Sequence, residues 1–172
     1  METLETLKNR RSIRAYKSQM PNKEMIDKVV EAGTYAPTGM GRQSPLIVVV
    51  TNKETRDELS KLNAQVFGRD MDPFYGAPMV IVVLANRNIP TYLYDGSLVL
   101  GNMMNAAYDV GLSGCWIHRA KEVFNSPRGK ELLKEWGIEG DYEGIGHLIL
   151  GYAEGDAPVA KPRKEDYVRY VK

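Results

Sequence analysis

Apolar positions recur at two different periods along this chain, and the switches between them mark out its elements. After Asn22, a helix-capping residue type, Met25, Ile26, Val29 and Val30 return at helical spacing as far as Gly33. Pro and Gly break the pattern from Tyr35 to Pro45, and the β-branched run Leu46 to Val50 then reads as a buried strand. Leu59, Leu62 and Val66, with charges between them, predict a surface helix over Lys53 to Val66. Pro78 to Ala85 (PMVIVVLA) is apolar on both faces, as a central sheet strand is. Tyr92 to Val110, rich in small and apolar residues and nearly uncharged inside, reads as the core helix. Gly114 to His118 predicts a short strand, Ser126-Pro127 opens a helix that ends at Trp136-Gly137, and Gly144 to Tyr152 is the last strand.

The end of the chain differs in character. Residues 156 to 172 are rich in charge and proline, yet finish on Tyr167, Val168, Tyr170 and Val171. Either this tail crosses to another subunit and packs there, or it is a frayed end with a few sticky residues.

Composition narrows the function. A chain of 172 residues suffices for one domain, which spans 1–172 with 155–172 as its extended tail, and a fold of that size buries roughly two thirds of the surface its unfolded chain exposes. Twenty-three basic residues against 22 acidic ones leave a net charge of +1, too weak a field to draw in nucleic acid or an anionic membrane. The single cysteine excludes an internal disulfide. The N-terminal METLETLKNRR lacks the apolar core of a signal peptide, and the apolar runs are too short to span a bilayer, so the cytoplasm is the expected compartment.

Candidate chemistry is sparse. His118 and His147 have no cysteine pair near them in sequence, so neither a zinc site nor a histidine-based triad can be assembled, and no metal is expected. Cys115 sits on a predicted buried strand with no adjacent base, the usual setting of a core thiol. Neither G-x-x-x-x-G-K-[ST] nor a strand-to-helix G-x-G-x-x-G occurs. Two basic clusters remain: Arg10, Arg11, Ser12 and Arg14 near the start, and Lys161-Pro-Arg163-Lys164 near the end. Guanidinium forks and a hydroxyl suit phosphate oxygens, but each cluster alone reads equally well as a solvated surface; they share one phosphate only if the chain ends meet.

Five segments in order carry a resemblance: RRSIRAY, YAPTGMGRQSPLIVVV, APMVIVVLAN, DGSLVLGNMMNAAYDVGLSGCWI and LILGYAEGDAPVAKPRK. Together they cover nearly the whole chain, which resembles the nitroreductase family of flavoproteins. The resemblance implies an α+β fold, a mixed, mainly antiparallel sheet wrapped by helices, in a homodimer with two FMN sites at the interface and the C-terminal segment extended onto the partner subunit. It implies that Arg10 and Ser12, with Arg11 helping, contact the phosphate and ribityl chain, joined by Lys161 and Arg163. Arg14 falls beside the pyrimidine end of the flavin ring, and Asn63 and Gln65 match the polar pair at the ring's other edge. Pro37, Thr38, Gly39, Arg42 and Gln43 match a loop that reaches the flavin from the partner, and Trp116 and Ile117 match the strand along its other side. Gly41 stands where the family has asparagine, Ser44-Pro45 omits a tryptophan, and the covering insertion is short, so a more open pocket is expected. The implied activity is transfer of hydride from NADH or NADPH through FMN N5 to a small oxidised acceptor of nitroaromatic or quinone type, with no catalytic side chain required. An FMN storage or sensing module, or a relative with another flavin reaction such as reductive dehalogenation, remains open.

Overall fold

The computed structural model describes residues 2–172. A short helix α1 (Thr3–Asn9) leads into an extended segment that buries Ile13 and Tyr16, and α2 (Lys23–Thr34) follows with the Asn22 side chain accepting from Met25 N at 2.9 Å. After a turn at Gly39–Gly41 come β1 (Pro45–Val50) and α3 (Lys53–Phe67), the helix capped by Asn52 and ended by Gly68 in the left-handed region. β2 (Met79–Asn86), α4 (Tyr92–Asp109) and β3 (Ser113–Ile117) follow, then α5 (Ala120–Asn125), α6 (Pro127–Glu135) and β4 (Tyr142–Gly151). Residues 155–172 run exposed past the last strand, with one short turn at Glu165–Tyr167.

The four strands lie in the order β1-β2-β4-β3, and every strand pairing is antiparallel. Among the described residues the one parallel pairing is the isolated bridge Ser12–Gly114 beside β3. Along β2, Val80, Val82 and Leu84 pack towards Leu59, Val123, Phe124 and Leu132 of α3, α5 and α6. Met79, Ile81, Val83 and Ala85 pack the other way, onto Val29 of α2 and Val99, Leu100 and Met103 of α4. A strand covered on both faces has to be apolar throughout, which is why its sequence shows no alternation.

Two expectations are corrected. The run Leu46 to Val50 is not a fully buried strand: β1 is a sheet edge, half-buried along its length, with Val49 40% exposed. The six-residue α5 is a helix that the periodicity did not predict; it starts after Arg119, at φ 74°, and is held by buried Val123 and Phe124. Among the described residues no helix is long and apolar enough to cross a membrane.

Candidate functional site

The segment after α1 is fixed from beneath. Ile13 and Tyr16 are each 6% exposed, the Tyr16 hydroxyl donates to the Ile13 carbonyl at 2.9 Å, and Tyr16 bridges Ala153 beyond β4. Between these two buried anchors Arg14 is exposed. Lys8, Arg10, Arg11, Ser12 and Arg14 form one wall of a cleft of ≈970 Å³, and the tail from Pro158 to Arg163 forms the other. The two basic clusters, some 150 residues apart in sequence, therefore face a common space. Its described lining has six cationic side chains and no carboxylate.

The cations differ in what they already hold. Arg11 Nη1 donates to the carbonyls of Lys8 (2.7 Å) and Arg10 (2.8 Å), so it closes the end of α1. Arg163 Nη2 donates to the Lys161 carbonyl at 2.6 Å. Arg10 Nη1, by contrast, is sealed from solvent with no acceptor. A buried charged donor without a partner is costly, and the fold itself supplies none for this atom. Behind this wall lies Cys115, whose pKa is raised by burial despite the opposing charges of Arg14 and Arg10 and a bond from Ser12. It stays a neutral core thiol, not a nucleophile.

The second group of candidates forms a separate surface in this chain. Pro37, Arg42 and Gln43 are exposed and Thr38 and Gly39 half-buried on the loop between α2 and β1. Thr38 and Gln43 border a groove of ≈310 Å³ with Gly33, Leu46, Ile47 and Val99, which does not meet the basic cleft. Asp95, in the first turn of α4, ties this loop down: it accepts from Gly39 N at 2.9 Å, Thr91 Oγ1 at 2.9 Å and Ser44 Oγ at 3.3 Å.

Asn63 is turned inward. Fully buried on α3, it accepts from Arg119 Nε at 2.9 Å and donates to the His118 carbonyl at 2.7 Å, with its Nδ2 3.4 Å from His147 Nδ1. His147 stacks obliquely on Phe74 and Phe124, with ring centroids 5.2 and 6.0 Å away. Burial first, then the nearby Arg119 charge, pushes its pKa down to about 3, so the ring is neutral. Gln65 is exposed on the same helix. Trp116 and Ile117 diverge, as neighbours on a strand must: Trp116 is half-buried on the α2/α4 side with its Nε1 unpartnered, and Ile117 is buried in the opposite layer. The basic wall also contains Lys8, and the loop depends on Asp95; neither was singled out from the sequence. Asp95 had a signal, being the one acid near the start of an otherwise apolar helix.

Comparison with known proteins is consistent across three levels. The family model described as "Nitroreductase family" matches residues 7–69. A protein of Archaeoglobus fulgidus with the provisional name NADH dehydrogenase/NAD(P)H nitroreductase is 30% identical over 121 residues, 67% of this chain and 67% of that protein. One of the same name from Methanothermobacter thermautotrophicus is 28% identical over 67% of this chain, and the match spans 60% of the relative's length. Among solved structures, a nitroreductase with bound FMN from Bacteroides fragilis superposes with a TM-score of 0.91 at 26% identity, and one with bound FMN from Desulfitobacterium hafniense with 0.88 at 29%; each match covers 100% of both chains. Strand order, the anchored RRSIRAY segment and these relatives agree, and the chain belongs to the nitroreductase family.

Proposed function

We propose that this chain is an FMN-dependent oxidoreductase of nitroreductase type, a single domain over 1–172, that carries reducing equivalents from NADH or NADPH to a small oxidised acceptor of nitroaromatic or quinone type. The observation that carries this reading is the cleft in which Arg10–Arg14 and Lys161–Arg163 face each other, together with an Arg10 guanidinium that the fold leaves incompletely partnered. A phosphate monoester fits that donor set. Its oxygens complete the guanidinium of Arg10, the Ser12 hydroxyl adds a neutral donor, and Lys161 and Arg163 neutralise the second charge. When bound, FMN supplies the hydride chemistry, so no side chain has to serve as acid, base or nucleophile.

The residues then have binding and orienting roles. Arg14, exposed at the rim of the cleft, is assigned to the pyrimidine end of the ring, where a fixed cation lowers the cost of developing negative charge. Pro37, Thr38, Gly39, Arg42 and Gln43 are assigned to the site of a second copy of the chain, since within one chain their loop is separate from the cleft. Exposed apolar side chains support such a homodimer: Leu4 and Leu7 on α1, Leu93, Tyr94 and Leu98 on α4, and Tyr167, Val168, Tyr170 and Val171 on the tail. An apolar tail with nothing of its own chain beneath it suits a partner's surface, and the half-exposed edge β1 is available to receive it.

Purified protein is expected to be yellow, with one FMN per chain, and to lose its colour on anaerobic addition of NADH or NADPH. Protein that takes up no FMN refutes the reading. Uptake without bleaching assigns the fold to flavin storage or sensing instead.

A further inference from the structure

The loop between α2 and β1 is sharply bent. Met40, Gly41 and Gln43 have φ of 56°, 66° and 51°, so three residues within four positions occupy the left-handed region, and two of them are not glycine. Their side chains gain little from it inside the chain: Met40 is 88% exposed with its Sδ accepting from Arg42 Nη2 at 3.4 Å, and Arg42 and Gln43 also face solvent. Strained backbone of this kind persists only where the surroundings over-determine it, and it concentrates at ligand clamps.

Here the bend is held from α4 by one carboxylate and from within the loop by Thr38. Asp95 is 2% exposed, and its described partners are all neutral donors: Gly39 N, Thr91 Oγ1 and Ser44 Oγ. Gly39 and Ser44 are the two ends of the bent segment, so one residue of α4 clasps both. The seat is tight, since a Cβ on Gly39 would lie 2.3 Å from Thr91 Oγ1. Thr38 completes the bend from within, its carbonyl accepting from Gly41 N at 2.9 Å and its Oγ1 from Gln43 N at 3.0 Å. A buried carboxylate spent on three neutral loop and helix-end donors is an expensive way to hold a surface loop that does nothing further.

We infer that Asp95 is a positioning residue: it keeps the Gly39–Ser44 segment preformed, so that Met40 to Gln43 already have their bound shape when the flavin of a second copy docks against them. This rests on the proposed FMN site shared between two chains. Preorganisation of this kind shows in affinity, because an unclasped loop must be ordered on binding.

The test compares the parent with Ser44→Ala, Asp95→Ala and Asp95→Asn as full chains, reading FMN dissociation constants, the visible spectrum of bound flavin, and kcat and KM separately. Ser44→Ala removes one bond of the clasp and should weaken FMN about two- to tenfold. Asp95→Ala should weaken it about tenfold or more and alter the flavin band. Asp95→Asn keeps an acceptor for Gly39 N, and the Thr91 and Ser44 hydroxyls can turn to accept, so it should recover most of the affinity. If Asp95→Ala does not fold, Ser44→Ala and Thr91→Val decide. Folded variants with FMN affinity, flavin spectrum and both kinetic constants within about twofold of the parent overturn the inference. A parent that itself takes up no FMN overturns the functional reading first.

Discussion

Two arginines of this molecule, Arg56 on α3 and Arg10 after α1, stand in opposite situations. Arg56, on α3, is 7% exposed and fully engaged: Nε donates to the Ala77 carbonyl at 2.9 Å, Nη1 reaches Asp57 at 3.1 Å and Nη2 reaches Asp72 at 2.7 Å. Asp72 also accepts from Ser60 Oγ, Phe74 N and Gly76 N, so the knot pins the loop between α3 and β2. Arg10 is half-buried with a sealed Nη1 and no acceptor, in a cleft lined by five other cations. Whether folding has already supplied the counter-charge separates a structural arginine from one available to a ligand.

Breaking the knot should therefore cost stability and leave binding alone. Burial works to raise the Asp72 pKa, but the bonds from Arg56, Ser60, Gly76 and Phe74 outweigh it and hold the carboxyl low. Asp72→Ala leaves Arg56 with Asp57 and the Ala77 carbonyl but removes the acceptor of Arg56 Nη2, Ser60 Oγ, Phe74 N and Gly76 N, and the expected loss is about 3 kcal/mol in urea unfolding. FMN affinity should stay within about twofold of the parent, the change expected for a distant, independent site. A stability loss below about 0.5 kcal/mol, typical of a surface substitution, would mean that the knot does not hold the loop.

Emptying the cleft should do the reverse. On the proposed binding mode, Arg10→Ala removes a charged donor that the fold leaves without an acceptor, so FMN binding should weaken by roughly 2–3 kcal/mol while thermal stability of the apoprotein is unchanged or slightly improved. Fluorescence titration of apoprotein measures the first and calorimetry the second. Equal loss in both would make Arg10 another structural arginine.

How much of this was legible beforehand follows from the same distinction. Elements defined by local periodicity were readable: the Asn22 cap, the two-sided β2 and the long α4 all stand close to the expected positions. α5 was not, because six residues carry too little periodicity and tertiary burial of Val123 and Phe124 makes the helix. The basic segment was legible as a cluster of cations, but its meeting with Lys161 and Arg163 depends on the chain ends coming together. Asn63 looked equally available in sequence. Its commitment to His118, Arg119 and His147 lies 55 to 84 residues away, beyond any local pattern.

That interior network sharpens the comparison through pH. The folded His147 pKa of about 3 lies below the ordinary 6.5, so at intermediate pH the unfolded chain binds a proton that the native state refuses. Stability from this group is complete above pH 6.5 and lost as pH falls from there towards 3. Unfolding free energy should drop by about 2 kcal/mol between pH 7 and pH 5, and His147→Phe should flatten that slope. An unchanged slope in the variant would assign the pH dependence to other groups. The cleft gives a smaller effect of another kind. Replacing Arg14 by Ala should make bound flavin harder to reduce by roughly 1 kcal/mol, about 20 mV for a two-electron couple, with little change in affinity. A potential that stays put or rises would remove Arg14 from the ring's surroundings.

The central claim is that one flavin is held by the Arg10 cleft of one chain and the Arg42 loop of the other, and a mixed dimer tests it most directly. Arg10→Ala and Arg42→Ala homodimers each have both sites damaged. In a dimer of one chain of each kind, two-fold symmetry gathers both lesions in one site and leaves the other intact. Differently tagged chains, co-expressed and purified through both tags, should recover about half of the parent's flavin content and NAD(P)H-driven activity, one intact site in two. Recovery no better than the average of the two single variants would mean that both residues serve one site within one chain, and the shared-site account would fail.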